Sequence, residues 1–326
     1  MQQKSNLVSI IIPNYNSSDF IVETLESIKK QTHSNWECII VDDWSLDDSV
    51  KVIERFIEDD SRFSFYIRPK DKPKGANSCR NYGFERSKGD YVNWFDSDDV
   101  MLPSFLEVKI QLIFQKDFVI STGCFASYDL DPDKNKKIEL FESDFIFKDY
   151  VLWRLKILTP SIMFKKDFLL QYDYMFNEKI HKGQETELFS KIFYSSKPNQ
   201  YAIINEATFL YRSHKNSSTN KNQNYNKLYK ESETHTLVQN FERSLQLGDN
   251  DLIQSFARLL VNMLKKSVDN GHMENVKIIL GEFDKTIKER NEKRVFFLRI
   301  IVKFFLLTKI RWIRWELPFK KVKINY

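Results

Sequence analysis

The chain has 326 residues and a net charge of +5, with 27 Phe and 14 Tyr against eight Gly and eight Pro. That length supports one large or two smaller domains, and the composition is that of a packed globular protein rather than a low-complexity one. The charge is lopsided: residues 290–326 hold eleven Lys and Arg against two acids, which leaves the rest at −4, so nucleic-acid binding by the body is not expected.

The start, Met1 to Asn6, is polar, and the apolar run that follows lacks a basic lead and is too short for a secretory signal. Cys38, Cys79 and Cys124 are odd in number and widely spaced. They form neither a disulfide framework nor a metal motif, so a reducing, cytoplasmic setting is expected.

Leu7 to Ile12 is a continuous apolar run stopped by Pro13, the pattern of a strand buried on both faces. Asn14 to Asp19 is turn chemistry, and Ile21, Leu25 and Ile28 then mark one face of a helix. A second strand, Trp36 to Val41, stops on Asp42-Asp43. Ser45 and Asp48 have capping-box spacing ahead of a helix whose inner face is Val50, Ile53 and Ile57. A third strand (Phe63 to Ile67), a helix led by Gly75 and ending at Arg86, and a Gly89-Asp90 turn lead into Tyr91-Val92-Asn93-Trp94-Phe95. That last run ends on Asp96-Ser97-Asp98-Asp99, three acids within four residues.

Four strands alternate with three helices, which predicts a doubly wound, mostly parallel α/β sheet. Ligands of such sheets bind beyond the carboxyl ends of the strands. Asn14 to Asn16, Asp42-Asp43 and Asp96 to Asp99 are therefore expected on one edge. Neither G-x-G-x-x-G nor G-x-x-x-x-G-K-[ST] is present, which removes the usual phosphate-cradling loops. A diphosphate can instead be held through a divalent cation, and hard Mg²⁺ or Mn²⁺ prefers carboxylates.

SIIIPNYN (residues 9–16), the segment from Glu23 to Ser49 with its VDDWS, and KGANSCRNYG…DYVNWFDSDDVMLP (residues 74–103) resemble, in order, the family 2 glycosyltransferases. These are GT-A-fold, Rossmann-like and usually inverting enzymes that use nucleotide-diphosphate sugars. The resemblance implies that Pro13, Asn14 and Tyr15 line a nucleoside pocket and that Asp43 faces the base, a uracil N–H. It sets Arg80 near the donor, at the base and ribose or at the diphosphate. It also implies that Asp96 reaches the ribose or the metal shell and that Asp98 holds the Mn²⁺ or Mg²⁺ bridging the phosphates. Asp47 and Asp48 read as helix N-terminal acids, and Asp99 as the start of a turn. Trp44 stands where the family often has Gly, so either the local backbone or the edge of the base pocket differs there.

Beyond Pro103 a helix (Phe105 to Phe114), a strand (Phe118 to Ile120), a polar loop (Asp129 to Lys137), a short helix within Phe145 to Leu155 and a strand over Thr159 to Phe164 are expected. A helix from near Gln184 carries Glu185, Leu188, Phe189 and Ile192 on one face, while Glu187 and Lys191 read as a surface pair. Glu185 thus heads an apolar face, and an inverting transfer needs one carboxylate to take the acceptor's proton. The segment also resembles the family's ED-x-E-L helix, with Glu185 at the place of the catalytic Asp, a departure of one methylene. After a strand over Tyr201 to Leu210, Tyr211-Arg212-Ser213-His214 resembles the segment that begins a loop closing over the diphosphate. There Arg212 and Lys215 suit phosphate oxygens, and His214 suits a phosphate or the metal shell; a solvated basic loop is the plainer alternative.

Residues 1–220 are therefore expected as the transferase domain, with a donor half (1–103) and an acceptor half (104–220), and 221–326 as a helical region. Helices are expected over Tyr225 to Gln246, Asp249 to Val268, Glu274 to Glu289 and Arg294 to Trp315. The last mixes basic residues with Trp312 and Trp315, which suits an interfacial helix on an anionic bilayer or a packed terminal helix. The expected partners are a nucleotide-sugar donor, a UDP-sugar first, and a glycan or lipid-linked acceptor, with peripheral membrane contact through the tail. Two competitors stand: a nucleotidyltransferase, which should carry a basic glycine-rich loop after the first strand, and a non-catalytic sugar-nucleotide-binding module.

Overall fold

The computed structural model describes residues 6–173, 175–214 and 225–288. The expectations for Lys215 and for the basic tail fall outside these residues. The chain divides into two compact units, one containing residues 6–178 and 187–214 and the other 179–186 and 225–288 among those described.

In the first unit the elements follow as β1 (Val8–Asn14), α1 (Ile21–Lys29), β2 (Trp36–Asp42), α2 (Ser49–Ile57), β3 (Phe63–Ile67), α3 (Ala76–Arg86) and β4 (Tyr91–Trp94). Then come β5 (Val100–Met101), α4 (Phe105–Ile113), β6 (Phe118–Ala126), β7 (Lys136–Lys137), α5 (Ile146–Val151), β8 (Ile162–Lys165), α6 (Lys166–Leu169), α7 (Gln184–Ser195), whose residues 184–186 fall in the second unit, and β9 (Tyr201–Arg212). The strands form one sheet in the order β3-β2-β1-β4-β8-β6-β9-β5, with β7 beside β6. β1 lies between parallel neighbours β2 and β4, and β3 is parallel to β2. Every residue of β1 is buried, as its unbroken apolar run requires, and each fully buried Ile there contributes roughly 1.5–3 kcal/mol. The strand order reverses between β1 and β4, beyond Asn14 and Trp94, where sheets of this kind take their ligands.

The second half departs from simple alternation. β8 enters antiparallel between β4 and β6, while β6 and β9 run parallel with register shifts near Ser121 and Thr122. The strand expected over Thr159 to Phe164 begins only at Ile162, because Thr159–Ser161 forms a 3-10 turn. β6 is longer than expected: Ser121 and Thr122 interrupt the apolar pattern, but Ser121 Oγ meets Thr208 Oγ1 at 2.7 Å, so both hydroxyls are buried satisfied.

Two local expectations are corrected. Ser45 does not cap α2; its hydroxyl instead donates to Asp42 Oδ1 at 2.5 Å. The helix start is held by Asp47, whose Oδ1 accepts from Ser49 N at 3.0 Å and whose Oδ2 accepts from Ser18 N at 3.0 Å. These bonds hold the Asp47 carboxyl below its usual range against the opposing cost of its burial. Glu187 is not a surface residue: it is fully buried, as are Leu188, Phe189, Ser190, Ile192 and Phe193. The middle of α7 is enclosed on more than one face, so its apolar stripe alone understated the burial.

α3 is buried through polar residues rather than an apolar stripe. Its backbone lies so close to β1 that a Cβ at Gly83 would overlap the Ile11 side chain. Below β4, Lys109 of α4 is fully buried, its ammonium 3.0 Å from both Asn93 Oδ1 and the Pro160 carbonyl and 3.5 Å from the Phe105 ring centroid. Loss of water pushes the Lys109 pKa well below the usual lysine range.

The second unit is helical: α8 (Lys227–Leu247), α9 (Asn250–Asp269) and α10 (Met273–Lys288). Asn226 and Asp249 cap α8 and α9 through their side chains, and Gly248 closes α8 with φ +66°. Leu252, Phe256, Leu260 and Leu264 recur on the buried face of α9. The segment before α7 is tied to α8, with His181 N donating to Ser232 Oγ at 2.9 Å and Lys182 pairing with Glu233 at 3.0 Å. Among the described residues, no helix is long and apolar enough to cross a membrane.

Candidate functional site

Three groups of polar residues meet at the carboxyl ends of β1, β2 and β4. The first stitches together the loops after β1 and β2. Asn14, at the end of β1, is buried and donates from Nδ2 to Asp42 Oδ1 at 2.6 Å. Asn16 donates its N–H to Ser45 Oγ at 2.9 Å and accepts from Leu46 N at 2.7 Å. Pro13 is buried, whereas Tyr15 is exposed, with the Lys74 ammonium 4.5 Å from its ring centroid and 3.3 Å from its hydroxyl.

The second group surrounds Asp43. The Asp43 carboxylate is buried and accepts from Arg68 Nε, and Arg68 also donates to the carbonyls of Pro69, at 2.9 Å, and Lys72. Sequence reasoning named Asp43 but missed Arg68. The signal was present in the register: Asp42 pairs with Ile67 in parallel strands, so the next residue of each, Asp43 and Arg68, stand side by side.

The third group is the acidic turn after β4. Arg80 of α3 is buried and donates from its guanidinium to Asp96 at 2.8 Å, while the same guanidinium lies 5.1 Å from the Phe176 ring centroid. Phe176 is in turn fixed on α3, its N–H donating to Asn81 Oδ1 at 3.0 Å and its carbonyl accepting from Asn81 Nδ2 at 2.8 Å. Loss of water raises the Asp96 pKa, the Arg80 charge opposes that shift and the Asp98 charge adds to it. Asp98 Oδ2 meets His214 Nε2 at 2.8 Å, a contact between residues 116 apart. The His214 ring packs against Phe20 with centroids 4.6 Å apart.

Asp99 is more than the start of a turn. It is 1% exposed; Oδ1 accepts from Arg212 N at 3.0 Å, and Oδ2 is buried with no hydrogen-bond partner among the described residues. Burial raises its pKa well above the carboxylate range, reinforced by the neighbouring charges of Asp98 and Asp96. Arg212 is also committed here rather than projecting freely. Its guanidinium is buried, pairs with Glu23 of α1 and donates to the carbonyls of Asp98 at 3.0 Å and Tyr128 at 2.9 Å. Thr24 Oγ1 of α1 reaches the carbonyls of Asp99 at 2.8 Å and Ser97 at 3.1 Å. α1 and the end of β9 thus clamp the acidic turn between them, a role for Glu23 and Thr24 that sequence reasoning missed.

The donor set at Asp98 fits a hard or borderline divalent cation: a partly exposed carboxylate oxygen lies beside an imidazole nitrogen. Among the described residues, no group of three or more His, Cys, Asp or Glu is gathered that could hold a metal ion unaided. A cation at Asp98 and His214 would therefore depend on phosphate oxygens and water to complete its shell, the usual state of Mg²⁺ in nucleotide sites. Glu185 occupies the first turn of α7, half-buried, directly after the Gly183 turn at φ +69°.

Comparison with known proteins agrees with this architecture. The sequence profile described as Glycosyl transferase family 2 matches residues 9–193, more than half of the chain. The chain therefore belongs to glycosyl transferase family 2, and its fold is of the GT-A type. It is 32% identical over 148 residues to the glycosyltransferase GlyG of Streptococcus pneumoniae serotype 4, a match covering 45% of this chain and 48% of that protein. This chain thus spans about half the length of that curated relative. Among solved structures, S. aureus TarS 1–349 in complex with UDP-GlcNAc superposes with a TM-score of 0.59 at 17% identity, covering 84% of this chain and 79% of the other. The mannosyltransferase PcManGT of Pyrobaculum calidifontis, in complex with GDP-Man and Mn²⁺, gives 0.52 at 15% identity over 93% and 81%.

Proposed function

We propose that the protein is an inverting, metal-dependent glycosyltransferase that moves a hexosyl or N-acetylhexosaminyl group from a nucleotide-diphosphate sugar, a UDP-sugar first, to a hydroxyl of a glycan or lipid-linked glycan. The observation that carries this reading is the meeting of Asp98 with His214 beside the Arg80–Asp96 pair, at the point where the strand order reverses. Pro13, Asn14 and Tyr15 line the nucleoside side, and Asp43 offers the base's imide N–H the lone pairs that Arg68 does not take. Asp96, oriented by Arg80, faces the ribose or the metal shell. Asp98 and His214 would hold Mn²⁺ or Mg²⁺. Such an ion would offset the charge that develops on the departing diphosphate.

Arg212 is assigned a different part from the phosphate ligand that its sequence context suggests. With its guanidinium on Glu23 and two carbonyls, it positions the acidic turn and sets the direction in which the chain leaves β9. Glu185 is the candidate base, on the strength of its place in the ETEL segment: it takes the proton of the acceptor hydroxyl as that oxygen attacks the anomeric carbon.

The test is a panel of nucleotide sugars titrated with and without Mn²⁺, followed by transfer assays on the donor that binds. Glu185→Gln should bind that donor as the wild type does and lose turnover by about 10²–10⁴-fold. Wild-type turnover in Glu185→Gln would remove the base assignment, and metal-independent binding would remove the metal.

A further inference from the structure

Position 44 is occupied against the preference of its own backbone. Asp42 closes a tight turn after β2 by accepting from Ser45 N at 2.8 Å, Ser45 Oγ at 2.5 Å and Asn14 Nδ2 at 2.6 Å. The turn leaves residue 44 at φ +62°, a left-handed conformation that favours glycine and in which a bulky side chain is strained. Trp44 adopts it nonetheless, with 42% of its surface exposed. Strain of this kind persists only where the surroundings over-determine it, and an observed outlier beside a site points to function.

The indole is fixed as well as strained. Its Nε1–H donates to the Arg68 carbonyl at 2.9 Å, and the Lys70 ammonium lies 4.9 Å from its ring centroid. Arg68 is also the residue whose guanidinium holds Asp43. Asp43, Arg68 and Trp44 therefore form one assembly at the ends of β2 and β3: a buried carboxylate, a buried guanidinium and an exposed aromatic plate. With its backbone in a locked turn and its ring tethered through Nε1, the plate cannot swing aside at low cost.

The carboxylate cannot choose a nucleobase alone. An acceptor aimed at an imide N–H serves uracil N3–H and guanine N1–H alike. Nor does the fold choose, since similar architectures are solved with UDP-GlcNAc in TarS and with GDP-Man in PcManGT. Discrimination then falls to shape, and a rigid wall next to the acid provides it. We propose that Trp44 is the specificity-determining residue of the donor site, its fixed indole closing the base pocket at the width of a single ring so that uracil nucleotides enter and purine nucleotides are refused. The proposal rests on the donor-site reading above.

The experiment titrates the full chain with UDP and with GDP in Mn²⁺, comparing the wild type with Trp44→Gly and Trp44→Asn, and follows the melting temperature of each. Glycine and asparagine both tolerate the left-handed turn, so the fold should persist in both. The wild type should prefer UDP by about 30-fold or more, within the range that pocket shape can provide. Both variants should fall to within about 3-fold, through weaker UDP and stronger GDP binding. A wild type indifferent to the base, or an unchanged UDP:GDP ratio in both variants, would overturn the role of Trp44. A lower melting temperature with both nucleotides weakened equally would also overturn it, leaving the indole as a brace for the β3–α3 loop. Failure of the wild type to bind either nucleotide would instead remove the donor site itself.

Discussion

Two acid–base pairs stand at strand ends on the same edge of the sheet. After β2, Asp43 and Arg68 have side chains 6% and 7% exposed; after β4, Asp98 is 29% exposed and its partner His214 8%. Arg68 is further held here by two carbonyls, so its guanidinium is fixed within the fold. The Asp98 carboxylate, by contrast, keeps one side toward water. On the proposed reading a cation would join Asp98 and His214, whereas removing Arg68 would leave the Asp43 carboxylate buried without its partner. On the proposed reading Arg68 is framework and Asp98 an exchangeable ligand.

The largest test of that contrast is Asp98→Ala. It should reduce metal-dependent turnover by about 10³-fold, as loss of a group that stabilises transition-state charge does. The melting temperature should stay close to wild type, since the pair it breaks is partly hydrated. Assays across a Mn²⁺ series with parallel thermal melts check both halves; a large loss of stability would make Asp98 framework too. Arg68→Ala should show its effect on stability first. Removing one member of a buried pair costs roughly 3 kcal/mol or more, so its denaturant midpoint should drop clearly. A midpoint unchanged in Arg68→Ala would erase the distinction between the two pairs.

Lys109 sharpens the comparison from a third direction, because its hydrogen bonds go to a neutral amide and a carbonyl rather than to a carboxylate. Its folded pKa is depressed by burial. Between that value and the unfolded value of about 10.4, the unfolded chain binds a proton that the folded chain does not. Stability should therefore rise with pH across this window, by at most about 1.4 kcal/mol per pH unit, and be insensitive to Lys109 above and below it. Denaturant titrations in steps toward pH 10 should show the rise in the wild type and its loss in Lys109→Met. An identical slope in both would mean that the ammonium remains charged in the fold.

The donor half was legible in the sequence because its signals are local. Apolar runs such as Leu7 to Ile12, helical faces such as Ile21, Leu25 and Ile28, and acids at strand ends each declare themselves within a few residues. What escaped depends on partners distant in sequence. The antiparallel entry of β8 is set by pairing with β4 and β6 rather than by its own four residues. The burial of Glu187 is set by what encloses α7. At the candidate site, Asp43, Asp96 and Asp98 could be proposed from sequence, but Arg68 required the register of β2 against β3, and Glu23 required the end of β9 to fold back onto α1. Arg212 shows the same limit: sequence context suggested a cation for phosphate, and three-dimensional context gave it carbonyls and Glu23 to hold. Trp44 lies between these cases, since the missing glycine was visible while the left-handed turn that makes it costly was not.

The amine of Lys109 also has a use as a clock. At 0% exposure that amine is shielded from any acylating reagent in solution. Its labelling rate in the native protein should follow the opening of the layer between α4 and β4, rather than the reagent's intrinsic reactivity. Mass-spectrometric acetylation at that one residue would then report how often the strand bearing the acidic turn comes loose, and whether bound nucleotide slows it.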